Sequence, residues 1–240
     1  GEPCKAGVAM TDLSTGLYAH GAILAALFKR TKTGKGQKID CNLLSTQVAS
    51  LINIGSNYLN TGKEAARWGT AHESIVPYEA FPTKDGYFTI GAGSDLQFKD
   101  LCKRMGRQDL ADNEKFKTNQ LRVQHRIELI GTIRSIIATK TKKEWAKIFE
   151  GGSFPNGPVN TLQETFDDPH IEEIGLIHSM EHPVAGSIKV VGPPVKYSDG
   201  GNCVRSAPPT LGQHTDEVLK NLLQYNQEQL KELRQQNVIQ

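Results

Sequence analysis

Residues 7–40, GVAMTDLSTGLYAHGAILAALFKRTKTGKGQKID, carry three consecutive signals. A single carboxylate, Asp12, sits in the polar run Thr11-Asp12-Leu13-Ser14-Thr15-Gly16. Residues 17–28 follow as a run made mostly of Ala, Leu, Ile and Gly. Residues 29–38 then form a basic, glycine-broken turn that leads into Ile39-Asp40. The middle run is apolar on every face, which predicts a buried helix. At about 1.5 Å per residue it is too short to cross a bilayer. Gly21 and the alanines allow another element to approach closely. Lys29 and Arg30 suit the negative end of the helix dipole, and Gly34 and Gly36 break the run.

Asp12 is therefore expected at or near a helix N-terminus. Aspartate is a favoured N-cap, but Thr11, Ser14 and Thr15 could serve equally. The second reading is a nucleophilic or basic carboxylate, placed where the helix N-terminus favours negative charge. The residues alone leave both readings open.

The composition narrows the class. A chain of 240 residues makes one large domain or two small ones. With 28 basic and 26 acidic side chains the net charge is +2, which gives no reason to expect nucleic acid or an anionic membrane as partner. The basic run is short and has no interleaved aromatics, so it reads as a solvated turn. Cys4, Cys41, Cys102 and Cys203 lie far apart and form no CxxC pair, against zinc and against a disulfide framework. His178 and His182 have the spacing of a helical metal pair, but Pro183 disfavours helix there, so no metal is expected. No secretory leader or membrane span is readable in these residues.

Local patterns organise the remainder. Lys38-Ile39-Asp40-Cys41 is a short strand candidate, and residues 42–60 read as one helix with Leu43, Leu44, Val48, Leu51 and Ile52 on its apolar face. Residues 61–75 form a linker that combines Arg67, Trp68, Gly69, Thr70, Ala71 and His72. Residues 76–81 and 86–90 predict a hairpin joined through Asp85-Gly86. Gly91-Ala92-Gly93-Ser94-Asp95 reads as a tight strand-to-helix turn capped by Ser or Asp. Helices are expected at 96–105 and 121–138, with capping boxes at Thr141–Glu144 and Thr161–Glu164. The Gly- and Pro-rich stretch 151–158 is a loop. Residues 181–197 return to extended structure, clearest at 187–191, and two amphipathic helices close the chain near 215–223 and 226–233, the second starting at Asn226-Gln227-Glu228-Gln229.

The order G-x-A-x-x-D-x-x-T-G, an Ala/Leu helix, then T-K-T-G-K-G-Q-K-I-D resembles the family III CoA-transferases. The likeness continues through Arg67-Trp68-Gly69-Thr70-Ala71-His72, Ser74-Ile75-Val76-Pro77-Tyr78 and Lys84-Asp85-Gly86-Tyr87. It returns at residues 154–159, Glu181-His182-Pro183 and residues 208–215.

The resemblance implies an α/β fold and the C-terminal part of a longer protein. In that scheme residues 1–60 and 185–240 are large-domain segments. Residues 61–75 are an active-site loop, 76–150 a small α/β domain and 151–184 a return linker. Asp12 becomes the catalytic nucleophile. Backbone amides of Gly69, Thr70 and Ala71 become oxyanion donors, and Arg67 and His72 become cations for a distal carboxylate. The implied reaction moves CoA from succinyl-CoA to a dicarboxylic acid such as glutarate, through an aspartyl-CoA thioester. It needs no metal and no cofactor beyond the CoA thioester that is its substrate. An interlocked homodimer and a mitochondrial address are also implied. The alternatives are an acyl-CoA racemase of the same family and a non-catalytic fragment or dimerisation domain.

Overall fold

The apolar run near the start of the chain folds as a helix much longer than residues 17–28. In the computed structural model, which describes residues 2–239, α1 spans Met10–Thr33, 24 residues. It takes in the polar run around Asp12 and the first half of the basic segment, and it ends where Gly34 turns to φ +70° and donates its N–H to the Arg30 carbonyl. At 24 residues α1 is not too short to cross a bilayer, contrary to the expectation for residues 17–28. Among the described residues no helix is both long and apolar enough to cross a membrane.

The chain forms two compact units, Gly1–Glu73 and Ser74–Gln240. In the first, α1 is followed by α2, Leu43–Ser50, and α3, Ile52–Thr61. The expectation of a buried helix is corrected: no residue of α1 is buried. The reason is geometric. Helical spacing collects Thr11, Thr15, Ala19, Ala22 and Ala26 into one partly covered stripe of small side chains. In this unit the other faces, with Leu17, Leu24 and Phe28, stay exposed. The strand expected at residues 38–41 is absent; the segment is irregular, and Lys38 pairs with Asp40 at 3.1 Å. The single helix expected over 42–60 is two. Asn42 caps α2 by accepting the Ser45 N–H at 2.9 Å. The break falls at Leu51, with Ile52 at φ +31°.

The second unit begins with the predicted hairpin. β1, Tyr78–Pro82, pairs antiparallel with β2, Tyr87–Gly91, in the register Phe81↔Phe88 and Glu79↔Ile90. Alternation points Phe81, Phe88 and Ile90 to one face, where all three are fully buried. Ser94 caps α4, Asp95–Arg104, through a capping box with Gln97, as expected of this turn. There follow α5, Gln108–Asp112, a 3₁₀ turn, Glu114–Phe116, α6, Asn119–Gln124, and α7, Arg126–Ile137. The predicted 121–138 helix is thus interrupted at His125. The Thr141–Glu144 capping box opens α8, Lys142–Phe149.

These helices lay their i, i+4 faces on the sheet: Leu129, Ile133 and Ile137 from α7, and Trp145 and Phe149 from α8. Phe149 is the hub, with ring centroids 5.0 Å from Trp145, 5.7 Å from Phe88 and 5.4 Å from Phe154. Burial of each such side chain contributes about 1.5–3 kcal/mol. The stretch 151–184, read as a linker, therefore starts inside this core with Phe154. It then supplies β3, Asn156–Pro158, which pairs with β2 in the order β1-β2-β3.

Two short helices follow, α9, Leu162–Phe166, and α10, Pro169–Glu173. β4, Ile177–His182, and β5, Gly186–Val191, form a second hairpin, so the expected 184/185 boundary falls in its turn. The chain closes with α11, Thr215–Leu223, and α12, Gln227–Gln235, capped by Asn226 as predicted and tied by Arg234 to Asp216 at 2.6 Å. The fold is α/β, as expected.

Candidate active site

Ala9 is the residue at the N-cap position of α1, and it has no side chain that can accept a hydrogen bond there. Asp12 lies three residues inside, in the first turn, so the reading of Asp12 as an N-cap is corrected. Its carboxylate is exposed at the positive end of a 24-residue helix, where negative charge is favoured.

The first turn is fixed from the side. Thr11 donates its hydroxyl to Gln47 Oε1 on α2 at 2.6 Å. Thr15 Oγ1 donates to the Thr11 carbonyl at 2.7 Å, and Cys41 Sγ lies 3.6 Å from the Thr15 carbonyl. A polar seam thus runs along the side of α1 that faces residues 41–47. A cleft of about 200 Å³ adjoins it, lined by Tyr18, Asp40, Cys41, Asn42, Ser45 and Thr46 among others. Ligand pockets are commonly 300–1,000 Å³, so this one is too small for an acyl-CoA.

The loop expected to serve the site is exposed from Arg67 to Thr70 and half-buried at Ala71 and His72. Gly69 has φ +62°, a conformation that favours glycine. The turn it makes is closed by the Ala71 N–H, which donates to the Trp68 carbonyl at 3.0 Å. That amide is therefore occupied in this structure. Arg67 donates to the Glu2 carbonyl at 3.1 Å, which joins the loop to the segment ahead of α1 and not to Asp12. The basic turn is largely self-satisfied. Lys29 reaches Gln37 at 3.3 Å, Lys32 lies 4.6 Å over the Phe28 ring, and Lys38 holds Asp40.

His178 and His182 fall on a strand, where four residues span about 13 Å, too far for one ion. His182 Nδ1 already accepts the N–H groups of Val184 and Ala185. Among the described residues no group of three or more His, Cys, Asp or Glu is arranged to hold a metal.

Two features escaped sequence reading. Gln47 sits on α2 among the polar residues Ser45, Thr46 and Ser50, so nothing in the sequence singled it out. Arg122 is fully buried, which its position in a polar stretch did not foretell.

The sequence model described as CoA-transferase family III matches residues 1–215. Human succinyl-CoA:glutarate CoA-transferase is 50% identical over 239 residues, which is 100% of this chain and 55% of that protein. Succinate–glutarate CoA-transferase of Agrobacterium fabrum is 39% identical, over 92% of this chain and 56% of that protein. A crystal structure of a CAIB/BAIF family protein from Brucella suis superposes with a TM-score of 0.70 at 35% identity, covering 91% of this chain and 56% of that one. The chain spans about half the length of the curated relatives it matches. The match over residues 1–215 settles the family: the chain belongs to CoA-transferase family III.

Proposed function

We propose that this chain carries the nucleophile of an enzyme that moves CoA from succinyl-CoA to a dicarboxylic acid such as glutarate. The observation that carries the reading is Asp12, exposed in the first turn of α1 within the segment that the family match covers. The relatives named for succinyl-CoA:glutarate transfer support the choice of acids.

The chemistry follows from the carboxylate. An Asp12 oxygen attacks the thioester carbonyl, the C–S bond breaks, and CoA thiolate leaves, giving a mixed anhydride. The thiolate attacks the Asp12 acyl carbon and releases the first acid as its carboxylate. Asp12 is now an aspartyl-CoA thioester. The acceptor carboxylate attacks this thioester and expels the thiolate, which then attacks the acceptor's acyl carbon and frees Asp12. One thioester is consumed and one is made, so no ATP is required, and the covalent route divides the barrier. Each attack passes through an oxyanion, for which a well-placed backbone donor is worth about 3 kcal/mol. The Gly69–Ala71 turn is proposed to offer such a donor; of its three amides, Ala71 N–H is engaged by the Trp68 carbonyl and would serve only after the turn rearranges. Arg67 and His72 are proposed to meet the distal carboxylate.

The exposed apolar residues of α1 and α3, including Leu17, Phe28 and Leu59, support an assembled enzyme. We take it to be a homodimer, which light scattering of the active protein checks. The test of the mechanism is incubation with succinyl-CoA, trapping by borohydride or hydroxylamine, and peptide mass mapping. Modification at Asp12 is expected; modification elsewhere overturns the reading.

A further inference from the structure

We propose that Gln47 is a positioning residue for Asp12, acting through Thr11. This rests on the reading of Asp12 as nucleophile. A helix begins with several N–H groups that have no partner inside the helix, and a side-chain cap ordinarily holds that turn together. α1 has no such cap: its N-cap residue is Ala9, with no side-chain hydrogen bond. The turn keeps the backbone bond from Leu13 N–H to the Ala9 carbonyl, 3.0 Å, and the tie from Thr11 to Gln47, 2.6 Å.

That tie is tertiary. It spans 36 residues and reaches from the second residue of α1 to the middle of α2. α2 is anchored at its own start, where Asn42 accepts the Ser45 N–H. Gln47 thus offers its carbonyl oxygen from an element whose first turn is properly capped. Thr11 and Asp12 are adjacent, and on a helix adjacent side chains leave the axis about 100° apart. Fixing the Thr11 hydroxyl against Gln47 therefore fixes the rotation of the turn and the direction in which Asp12 projects. Below it, the Thr15 hydroxyl on the Thr11 carbonyl continues the same seam.

A carboxylate that must attack a carbonyl within a narrow range of distance and angle loses rate when its turn frays, because fewer molecules hold the productive geometry. Substrate binding through other groups is unaffected. The effect belongs in kcat, with KM left in place.

Thr11→Val keeps the shape and removes the donor; Gln47→Leu removes the acceptor; Thr11→Ser keeps the hydroxyl. In the active enzyme, kcat for CoA transfer is expected to fall about ten-fold in Thr11→Val and in Gln47→Leu, with KM within two-fold. The double variant is expected to be no worse than either single one, as for residues that act as a pair. Thr11→Ser is expected to stay near the parent rate. Hydrogen exchange at the Leu13 amide is expected to speed up in the two disabling variants, with amides in the middle of α1 unchanged. Equal losses in Thr11→Ser and Thr11→Val, or a loss confined to KM, overturn the proposal. So does a normal kcat in Gln47→Leu when Asp12→Asn is inactive. Normal transfer by Asp12→Asn instead overturns the underlying reading, and the exchange at Leu13 still reports whether the tie holds the turn.

Discussion

The Lys142 ammonium donates to both carboxylate oxygens of Glu164, each at 2.7 Å. Glu164 is also the third residue of α9 and accepts the Thr161 N–H at 2.8 Å, so one carboxylate completes a capping box and an ion pair together. Lys142 reaches further to the Val159 carbonyl at 3.3 Å, and its own N–H donates to Asp85 in the β1–β2 turn at 2.8 Å. The residue thus joins the hairpin turn, the start of α8 and the chain beyond β3.

This arrangement has a pH signature. The Lys142 hydrogen bond, then the Thr161 N–H, hold the Glu164 carboxyl down to about 2, against an ordinary 4.5. A depressed carboxyl pKa contributes stability that is fully present above the unfolded value and is lost as pH falls through the folded one. Urea unfolding of the parent and of Glu164→Gln is therefore expected to differ by a constant amount above about pH 5. The gap should narrow steadily between pH 4.5 and pH 2. A gap independent of pH over that window would show that the pair contributes nothing as an ion pair.

Arg122 makes a different demand. Its guanidinium is buried, lies 4.5 Å from the Phe98 ring centroid, and donates to the carbonyls of Val76 at 2.7 Å and Phe116 at 3.0 Å. It also donates to Asp95 at 3.0 Å, while burial lowers its pKa. Arg122→Met fills much of the volume and strands those carbonyls without a donor. A loss of about 3–5 kcal/mol is expected from denaturant unfolding, because buried acceptors left unpaired bear their full desolvation cost. Arg122→Lys should recover only part, since one ammonium cannot follow the fork of the guanidinium.

The features read correctly from the sequence are the ones that local chemistry decides. The Thr141–Glu144 and Thr161–Glu164 boxes, the Asn226 cap and the Asp85-Gly86 hairpin each need only a few neighbouring residues, and all four formed. The breaks at Leu51 and His125 carry no Gly or Pro, so continuous apolar spacing concealed them. The strand expected at 38–41 has the composition but no neighbouring strand to pair with among the described residues. For the candidate site, the helix-start position of Asp12 was legible. The Thr11–Gln47 contact was not, because it joins residues 36 apart. Arg122 fails for the same reason: its Val76 partner is 46 residues away.

The cysteines separate cleanly by environment. Cys4, Cys41 and Cys203 are exposed, whereas Cys102 is buried in the core and desolvation pushes its thiol up to about 12. Only thiolate reacts. Three of the four are expected to label within minutes at pH 8 in native protein, with Cys102 released only in denaturant. Rapid native labelling at Cys102, located by peptide mapping, would contradict the packing of α4 on the sheet.

At Asp12, stability and chemistry are separable. Had Asp12 been the N-cap, Asp12→Ala would have removed a hydrogen-bonded cap, a loss of about 1 kcal/mol. It is instead the third residue of α1, and the turn has no side-chain cap. What alanine removes is the favourable contact of an exposed charge with the helix dipole, about 0.3–1 kcal/mol and smaller in salt. Asp12→Asn removes the same charge and keeps the volume. Both variants are therefore expected to unfold close to the parent, with the difference fading as salt is raised from 0.05 to about 0.5 M. In the active enzyme both are expected to lose transfer by several orders of magnitude, because neither amide nor methyl can form the thioester. Near-parental transfer by Asp12→Ala would remove Asp12 from the mechanism. A salt-independent loss of several kcal/mol would give it a structural role that its exposed position in the first turn does not provide.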